Sequence, residues 1–424
     1  MALTLTVNKK VILHIDFDSF FASCEQQFDE KLRGKPIGVT ATNGRTCIIA
    51  ASREAKKKGV KSVTRVWDAQ KICPEIITVP AHFEKYWEIT QIFLNICKDY
   101  SPYVELFSLD EVFMDITATE NLFGGRFKLI EAIKERIRKE IGEYITVSVG
   151  LSYNKLLAKL GSGMNKPNGF TEITPENLLE IYSKAKLTDF CGIGSRVEKR
   201  LNKLGIFTPL QLRSASLDEL IEEFKDVEGH FLKELGLGFD AHPVVPYYIP
   251  TETKSVGRNY CIPQNTYDQR KILQHVFELC EEVGIKLRRL NKKARTVGLY
   301  LGGNNSFHGR KTLTNHIDSG KDIYSLCKLL YDEWGLAKLS KEQGMVRQIS
   351  VWVGNLADKT NLTLSIFDIE QKDNKVQKVM DQINDKFGDH TIQNGFLLYG
   401  PNLKTVPNGF LADRYERQKL ATSF

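Results

Sequence analysis

No two of the eight cysteines (Cys24, Cys47, Cys73, Cys97, Cys191, Cys261, Cys280, Cys327) form a C-x-x-C pair or stand close enough together to suggest a zinc site. They read as reduced, mostly buried thiols. No apolar run reaches bilayer-spanning length, and the first residues carry no charged-then-apolar signal segment, so no membrane partner is expected and a cytoplasmic location is. What is present is an ordinary globular composition, 42% hydrophobic and 26% charged over 424 residues, too long for one core, so two to four domains are expected. The formal charge of +7 favours an anionic partner only modestly, and where the charge clusters matters more than its sum.

Lys10 to Asp16 (KVILHID) is apolar and β-branched, and Phe17, Phe20, Phe21, Cys24 and Phe28 then recur at helical spacing. The pattern predicts a strand, then a helix, with an acid at the junction. Short strands at 36–40 and 46–50 and two small basic helices within SREAKKKGVKSVTRVWDAQKIC complete a small subdomain ending near Pro80. A helix from His82 to Tyr100 precedes VELFSLDEVFMDI, two predicted strands with Asp110 and Glu111 at their turn. A helix over 126–140, a strand over 145–151 and a short helix leading to KPNG at 166–169 follow, giving a ferredoxin-like split βαβ plan.

Past Thr174 the chain turns helical, with a Gly-x-Gly turn in LTDFCGIGSRVEKRLNKLGI, and the proline- and tyrosine-rich HPVVPYYIPTETK marks a boundary. Strands near 254–259, 296–301, 311–316 and 346–353, with helices over 268–289 and 320–334, repeat a βαββαβ order. A polar helix is predicted over 374–387.

Asp16, Asp110 and Glu111 lie on strands that neighbour one another in a split βαβ sheet, so three carboxylates can converge. Such a cluster is unfavourable when empty and favourable around divalent cations, with Mg²⁺ the natural choice and Mn²⁺ a substitute. Two ions about 3.5 to 4 Å apart can serve an in-line phosphoryl displacement. Asp18 and Asp115 read as solvated turn acids.

HIDFDSFFASCEQ, FSLDEVFMDI, VSVGLSYNKLLAKLGS and NKPNG, in that order and spacing, resemble the palm of Y-family DNA polymerases, the DinB- and UmuC-like group. The likeness runs from about Val11 to Gly354. It implies an α+β right-hand polymerase with a ferredoxin-like palm (1–22 and 81–174), small fingers (23–80), a helical helix-hairpin-helix thumb (175–243), a βαββαβ little finger (252–355) and a C-terminal tail (356–424). It implies metal binding by Asp16, Asp110, Glu111 and the Phe17 backbone carbonyl. It also places Phe20 and Phe21 beside the nucleotide, with Phe21 as a steric gate against ribonucleotides; by periodicity alone both would be core. Lys166 is implied to meet the incoming triphosphate. Where family members carry a tyrosine and an arginine for that group, this chain has Arg53 and Lys56, with Ser52 as a candidate hydroxyl.

In FCGIGSRVEKRL, Gly192 and Gly194 leave room for backbone N–H groups to approach a phosphate, and Lys199 and Arg200 follow. FKDVEGHFLKEL reads as a degenerate second copy. Between Val283 and Ile317 stand eight basic residues, among them Arg288, Arg289, Lys292, Lys293 and Arg295, and no acid, which suits sequence-independent contact with a duplex backbone. NLTLSIFD (361–368) resembles a sliding-clamp peptide through Leu364, Ile366 and Phe367, with Asn361 where a glutamine is usual. The expected activity is template-directed, lesion-tolerant addition of deoxynucleotides to primer-template DNA by a monomer. No proofreading exonuclease motif is evident. The alternatives are a non-catalytic DNA-binding relative, against which the joint presence of Asp16, Asp110, Glu111 and Lys166 argues, and a two-metal palm enzyme such as a nucleotide cyclase.

Overall fold

Alternation along the first strand decides the architecture of the catalytic half. In the computed structural model, which describes residues 10–41, 47–249, 252–334, 344–362, 368–388 and 391–397, strand β1 (Ile12–Phe17) sends successive side chains to opposite faces. Leu13, Ile15 and Phe17 enter a large core shared with helices α4 (Phe83–Lys98) and α5 (Arg126–Glu140). Ile12 faces the other way, packing with Phe113 and Ala158, and His14 and Asp16 share its face by the same alternation. Each fully buried aliphatic side chain on the first face contributes roughly 1.5–3 kcal/mol, enough to fix the register against a one-residue slip that would bury Asp16 there.

The sheet order is β5-β6-β1-β7-β8, with β5 (Tyr103–Leu106), β6 (Glu111–Asp115), β7 (Val147–Ser152) and β8 (Phe170–Glu172). Strand β1 is central and antiparallel to β6 and β7. The short β8, absent from the sequence expectation, runs parallel to β7. Helix α6 (Lys155–Met164) lies close against the polar face of β1 and β7. A side chain at Gly150 would place its Cβ 1.9 Å from the Ala158 carbonyl oxygen, so only glycine permits this approach.

A second, three-stranded sheet has the order β3-β2-β4, from β2 (Ile37–Thr40), β3 (Ile48–Ala51) and β4 (Ile77–Pro80). It is flanked by α1 (Phe20–Phe28), α2 (Arg53–Lys57) and α3 (Val66–Ile72). Helices α7 (Leu178–Lys184), α8 (Ser195–Lys203), α9 (Pro209–Ser214), α10 (Leu217–Phe224) and α11 (Asp226–Leu237) build an apolar core that they share with Leu157 and Leu160 of α6. Between α10 and α11 only Lys225 intervenes, at φ 73°.

A separate compact unit spans 251–405. Its strands β9 (Ser255–Thr266), β10 (Lys292–Gly303), β11 (Phe307–Ile317) and β12 (Val346–Asp358) form an antiparallel sheet ordered β11-β10-β12-β9. Helices α12 (Gln269–Arg289) and α13 (Gly320–Trp334) pack on it, and α14 (Asp368–Phe387) starts six residues before its expected position. The element order is the βαββαβ read from the sequence, but the strand order differs from the first sheet's. There the first strand is central; here it is at the edge.

Candidate active site

Asp16 and Glu111 stand directly opposite one another in the β1–β6 register. That pairing sets their Cβ atoms about 4.5–5.5 Å apart, and like charges at such a position destabilise a bare sheet. An oxygen of each and a ring nitrogen of His14 lie within 4.8 Å of one another. Asp110, at the start of the turn into β6, lies outside that trio, where its carboxylate accepts from Ser108 Oγ. Burial pushes the Asp16 carboxyl up to about 7 against the pull of Lys166, with Glu111 and Asp110 adding to the rise. Asp110 is raised by burial too. Glu111 goes the other way. Burial opposes its ionisation, but the hydrogen bond from His14 and the charge of Lys159 outweigh it and hold the carboxyl at about 2.

Two of these partners were not singled out from the sequence. His14 is fully buried; its Nε2 meets Glu111 Oε2 at 2.9 Å and its Nδ1 meets Ser162 Oγ at 2.7 Å. Burial lowers its own pKa to about 4. Lys159 Nζ bonds to the same Glu111 oxygen. The readable signals were period two on β1, which puts His14 on the face of Asp16, and i,i+3 spacing on α6, which puts Lys159 and Ser162 together.

Lys166, 150 residues from Asp16 in sequence, bonds to its carboxylate. Its loop passes through Asn168 at φ 55° and closes at Gly169, where a Cβ would lie 1.5 Å from the Asn165 carbonyl oxygen. Lys56 donates to Ser19 Oγ at 2.8 Å and Arg53 to Thr146 Oγ1. Burial and the charge of Lys166 lower the Lys56 pKa. Ser52 is not available to a nucleotide. It is fully buried, donates to the Lys35 carbonyl and caps α2 by accepting from Ala55 N. Phe20 is likewise a core residue, 3% exposed and stacked on Phe17 at 4.8 Å. Phe21 is only partly buried, stacked on Tyr86 at 4.6 Å with Phe83 at its edge.

Gly192 has φ 106°, and Gly194 is the N-cap of α8 with open space where a side chain would stand. Lys199 is exposed, whereas Arg200 is held by Glu223 and lies over the Phe224 ring. The basic run over 283–317 has no acid of its own, but acids from outside it fold back onto it. Arg288 pairs with Asp381, Arg289 with Asp385, Lys292 with Asp358 and Lys311 with Glu333. Lys293 lies 3.7 Å from Asp318, and Arg295 donates to the Leu313 carbonyl. Arg310 is exposed. Leu364, Ile366 and Phe367 fall outside the described residues.

The donor set of hard carboxylate oxygens, two of them raised in pKa by burial, fits a divalent cation. Among the described residues no helix is long and apolar enough to cross a membrane.

Residues 15–163 match the impB/mucB/samB family, and residues 253–366 match the impB/mucB/samB family C-terminal domain. The chain is 35% identical to DNA polymerase IV of Staphylococcus saprophyticus over 85% of its length and 99% of that protein's. It is 30% identical to DNA polymerase IV of Acetivibrio thermocellus over 94% of its length and all of that protein's. Among solved structures, a Y-family DNA polymerase chimera superposes with a TM-score of 0.69 at 27% identity, covering 81% of this chain and 98% of that one. On its sequence, its right-hand α+β fold and these relatives together, the chain belongs to the Y family of DNA polymerases, DNA-directed enzymes of the translesion type.

Proposed function

We propose that Asp16, Asp110 and Glu111, with the Phe17 carbonyl, hold two divalent cations, Mg²⁺ or Mn²⁺ in its place, and that a deoxynucleoside triphosphate enters beside them. Such ions supply activation of the primer 3′-hydroxyl and neutralisation of the charge that builds up on the phosphates during in-line displacement. The observation that carries the reading is the meeting of Asp16, Glu111 and Lys166 from three distant segments at one point. An ammonium within reach of Asp16 is also within reach of a phosphate bound there. Lys166 then shifts from the carboxylate to the triphosphate and offsets its charge as a point cation. Arg53 and Lys56 offer two further cations on the side of α2. Phe21 is the steric gate: its stack on Tyr86 fixes the ring, so a 2′-hydroxyl meets an unyielding edge.

We assign the palm to 1–22 and 81–174, the fingers to 23–80, the thumb to 175–243 and the little finger to 252–355, acting as a monomer on primer-template DNA. Gly192, Gly194 and Lys199 meet a phosphate at the thumb, and Lys292, Lys293 and Arg295 follow the duplex from the little finger. The 361–368 peptide is assigned to a sliding clamp. Primer extension on plain and abasic-site templates tests the central claim. Wild type should extend both, and the double change Asp110→Ala, Glu111→Ala should extend neither while still binding DNA. Equal extension by both proteins would remove these residues from the chemistry.

A further inference from the structure

The acid that the sequence leaves as a solvated turn residue is the best-connected carboxylate near the site. Asp18 is 3% exposed. Its Oδ1 accepts from Ser148 Oγ at 2.8 Å, and its Oδ2 accepts from Thr146 Oγ1 at 2.7 Å and from the backbone N–H of Asn168 at 2.7 Å. Its own backbone N–H is tied to the Thr146 carbonyl at 2.9 Å, and its carbonyl accepts from Ser23 Oγ at 2.7 Å. The residue is therefore held at both ends.

What Asp18 holds is the segment that carries the phosphate-facing cations. Asn168 lies two residues beyond Lys166, in the left-handed region that asparagine tolerates, so its N–H points inward to the carboxylate. Ser148, already donating to Asp18, accepts from Gly169 N at 3.3 Å, and Lys134 Nζ closes the loop from outside on the Asn168 and Gly169 carbonyls at 3.0 and 3.1 Å. On the other side Thr146 passes the connection on, because the hydroxyl that donates to Asp18 accepts from Arg53. One buried carboxylate thus links the loop of Lys166 on one side and the guanidinium of Arg53 on the other.

We propose that Asp18 is a positioning residue for the incoming triphosphate: it fixes the Lys166 loop directly and Arg53 through Thr146, so that both cations stand in place before the nucleotide arrives. The inference rests on the reading of Lys166 and Arg53 as triphosphate contacts. Asp18, 3% exposed and occupied by its three protein donors, acts through the groups it holds. Its effect is to remove the ordering cost that a mobile lysine loop would impose on nucleotide binding. A buried acceptor with three donors is worth more than an isolated pair, since losing it leaves donors unsatisfied as well.

The test is single-turnover incorporation of one deoxynucleotide, reading nucleotide affinity and the maximal rate separately, for Asp18→Asn, Lys166→Ala and the two combined. Asp18→Asn keeps the shape and loses the charge, and should weaken apparent nucleotide affinity about tenfold while the maximal rate changes less than about threefold. Primer-template affinity should not move. In the Lys166→Ala background the same change should weaken nucleotide affinity less than about threefold, the remainder passing through Arg53. Thr146→Val, which cuts the link to Arg53 and removes one donor from Asp18 but leaves the Asn168 N–H on the carboxylate, should have a smaller effect than Asp18→Asn. If Asp18→Asn is too unstable to assay, Ser148→Ala removes one donor from Asp18 and should shift affinity in the same direction. An effect of Asp18→Asn on rate alone, or one that multiplies undiminished with Lys166→Ala, overturns the proposal. If Lys166→Ala leaves nucleotide affinity unchanged, the triphosphate reading fails first and takes this inference with it. If Lys166→Ala weakens affinity and Asp18→Asn does not, only the role of Asp18 is lost.

Discussion

Asp16→Asn should make the ion-free protein more stable while abolishing primer extension. The Asp16 carboxyl is shifted from 3.8 to about 7, by burial first and by Glu111 and Asp110 beyond that. A folded-state pKa above the unfolded one means that the native protein holds the proton longer. The associated stability is complete below the unfolded value of 3.8 and is lost as pH rises through about 7. Three units at about 1.36 kcal/mol each make a total near 4 kcal/mol, of which about 3 kcal/mol falls between pH 5 and pH 8. Asparagine has no such dependence. Urea unfolding in chelator at both pH values should therefore show the stability gap between the variant and wild type widening by about 3 kcal/mol in favour of the variant. Adding Mg²⁺ at pH 8 should close that gap by raising wild type alone, by about 2.7 kcal/mol at a hundredfold excess over its dissociation constant. A gap that stays constant to within about 0.5 kcal/mol across the two pH values would refute the claim that burial disfavours the Asp16 carboxylate more than Lys166 favours it.

Four further outcomes follow from the structure. Phe21→Ala should raise ribonucleotide incorporation by at least about tenfold relative to deoxynucleotide, measured as the ratio of kcat/KM values, because the ring on Tyr86 is gone. His14→Ala should raise the Mg²⁺ concentration needed for half-maximal extension by roughly tenfold, since Glu111 loses its 2.9 Å partner, and His14→Gln should recover part of it. Lys199→Ala should reduce the salt dependence of DNA binding by about one unit of slope. Arg288→Ala should instead leave that slope alone and cost about 2 kcal/mol in stability, because it removes two hydrogen bonds from Asp381 and one from the Asp318 carbonyl, as urea unfolding would show.

The sequence makes the catalytic sheet legible because its signals are local. Period two on β1 gives the strand and its buried face, and the turn at Asp110 and Glu111 gives the hairpin. What it does not show is which distant group answers a given side chain. His14 looks like a polar residue within an apolar strand until Glu111 is set diagonally across from it. Asp18 looks like the neighbour of a turn until the 168–169 backbone folds against it. Arg288 and Arg289 look unpaired because Asp381 and Asp385 lie more than ninety residues away. Ser52 illustrates a different limit: a hydroxyl at a helix start can cap the helix or meet a ligand, and here it is buried as the cap of α2. The two βαββαβ units share an order of elements but not of strands, since element order is written along the chain and strand order is set by long-range packing.

Lys159 and Lys166 bond to Glu111 and Asp16, so the acidic pair comes supplied with positive charge from its own chain. The consequence concerns the order of events in the cell. The two facing acids each have an ammonium partner, from α6 and from the loop that follows it, so the folded sheet does not need an ion to offset them. On the proposed reading, loading of the enzyme is an exchange in which incoming cations and phosphate release the lysines. The waiting state is then a closed circuit of opposite charges that substrate arrival reopens.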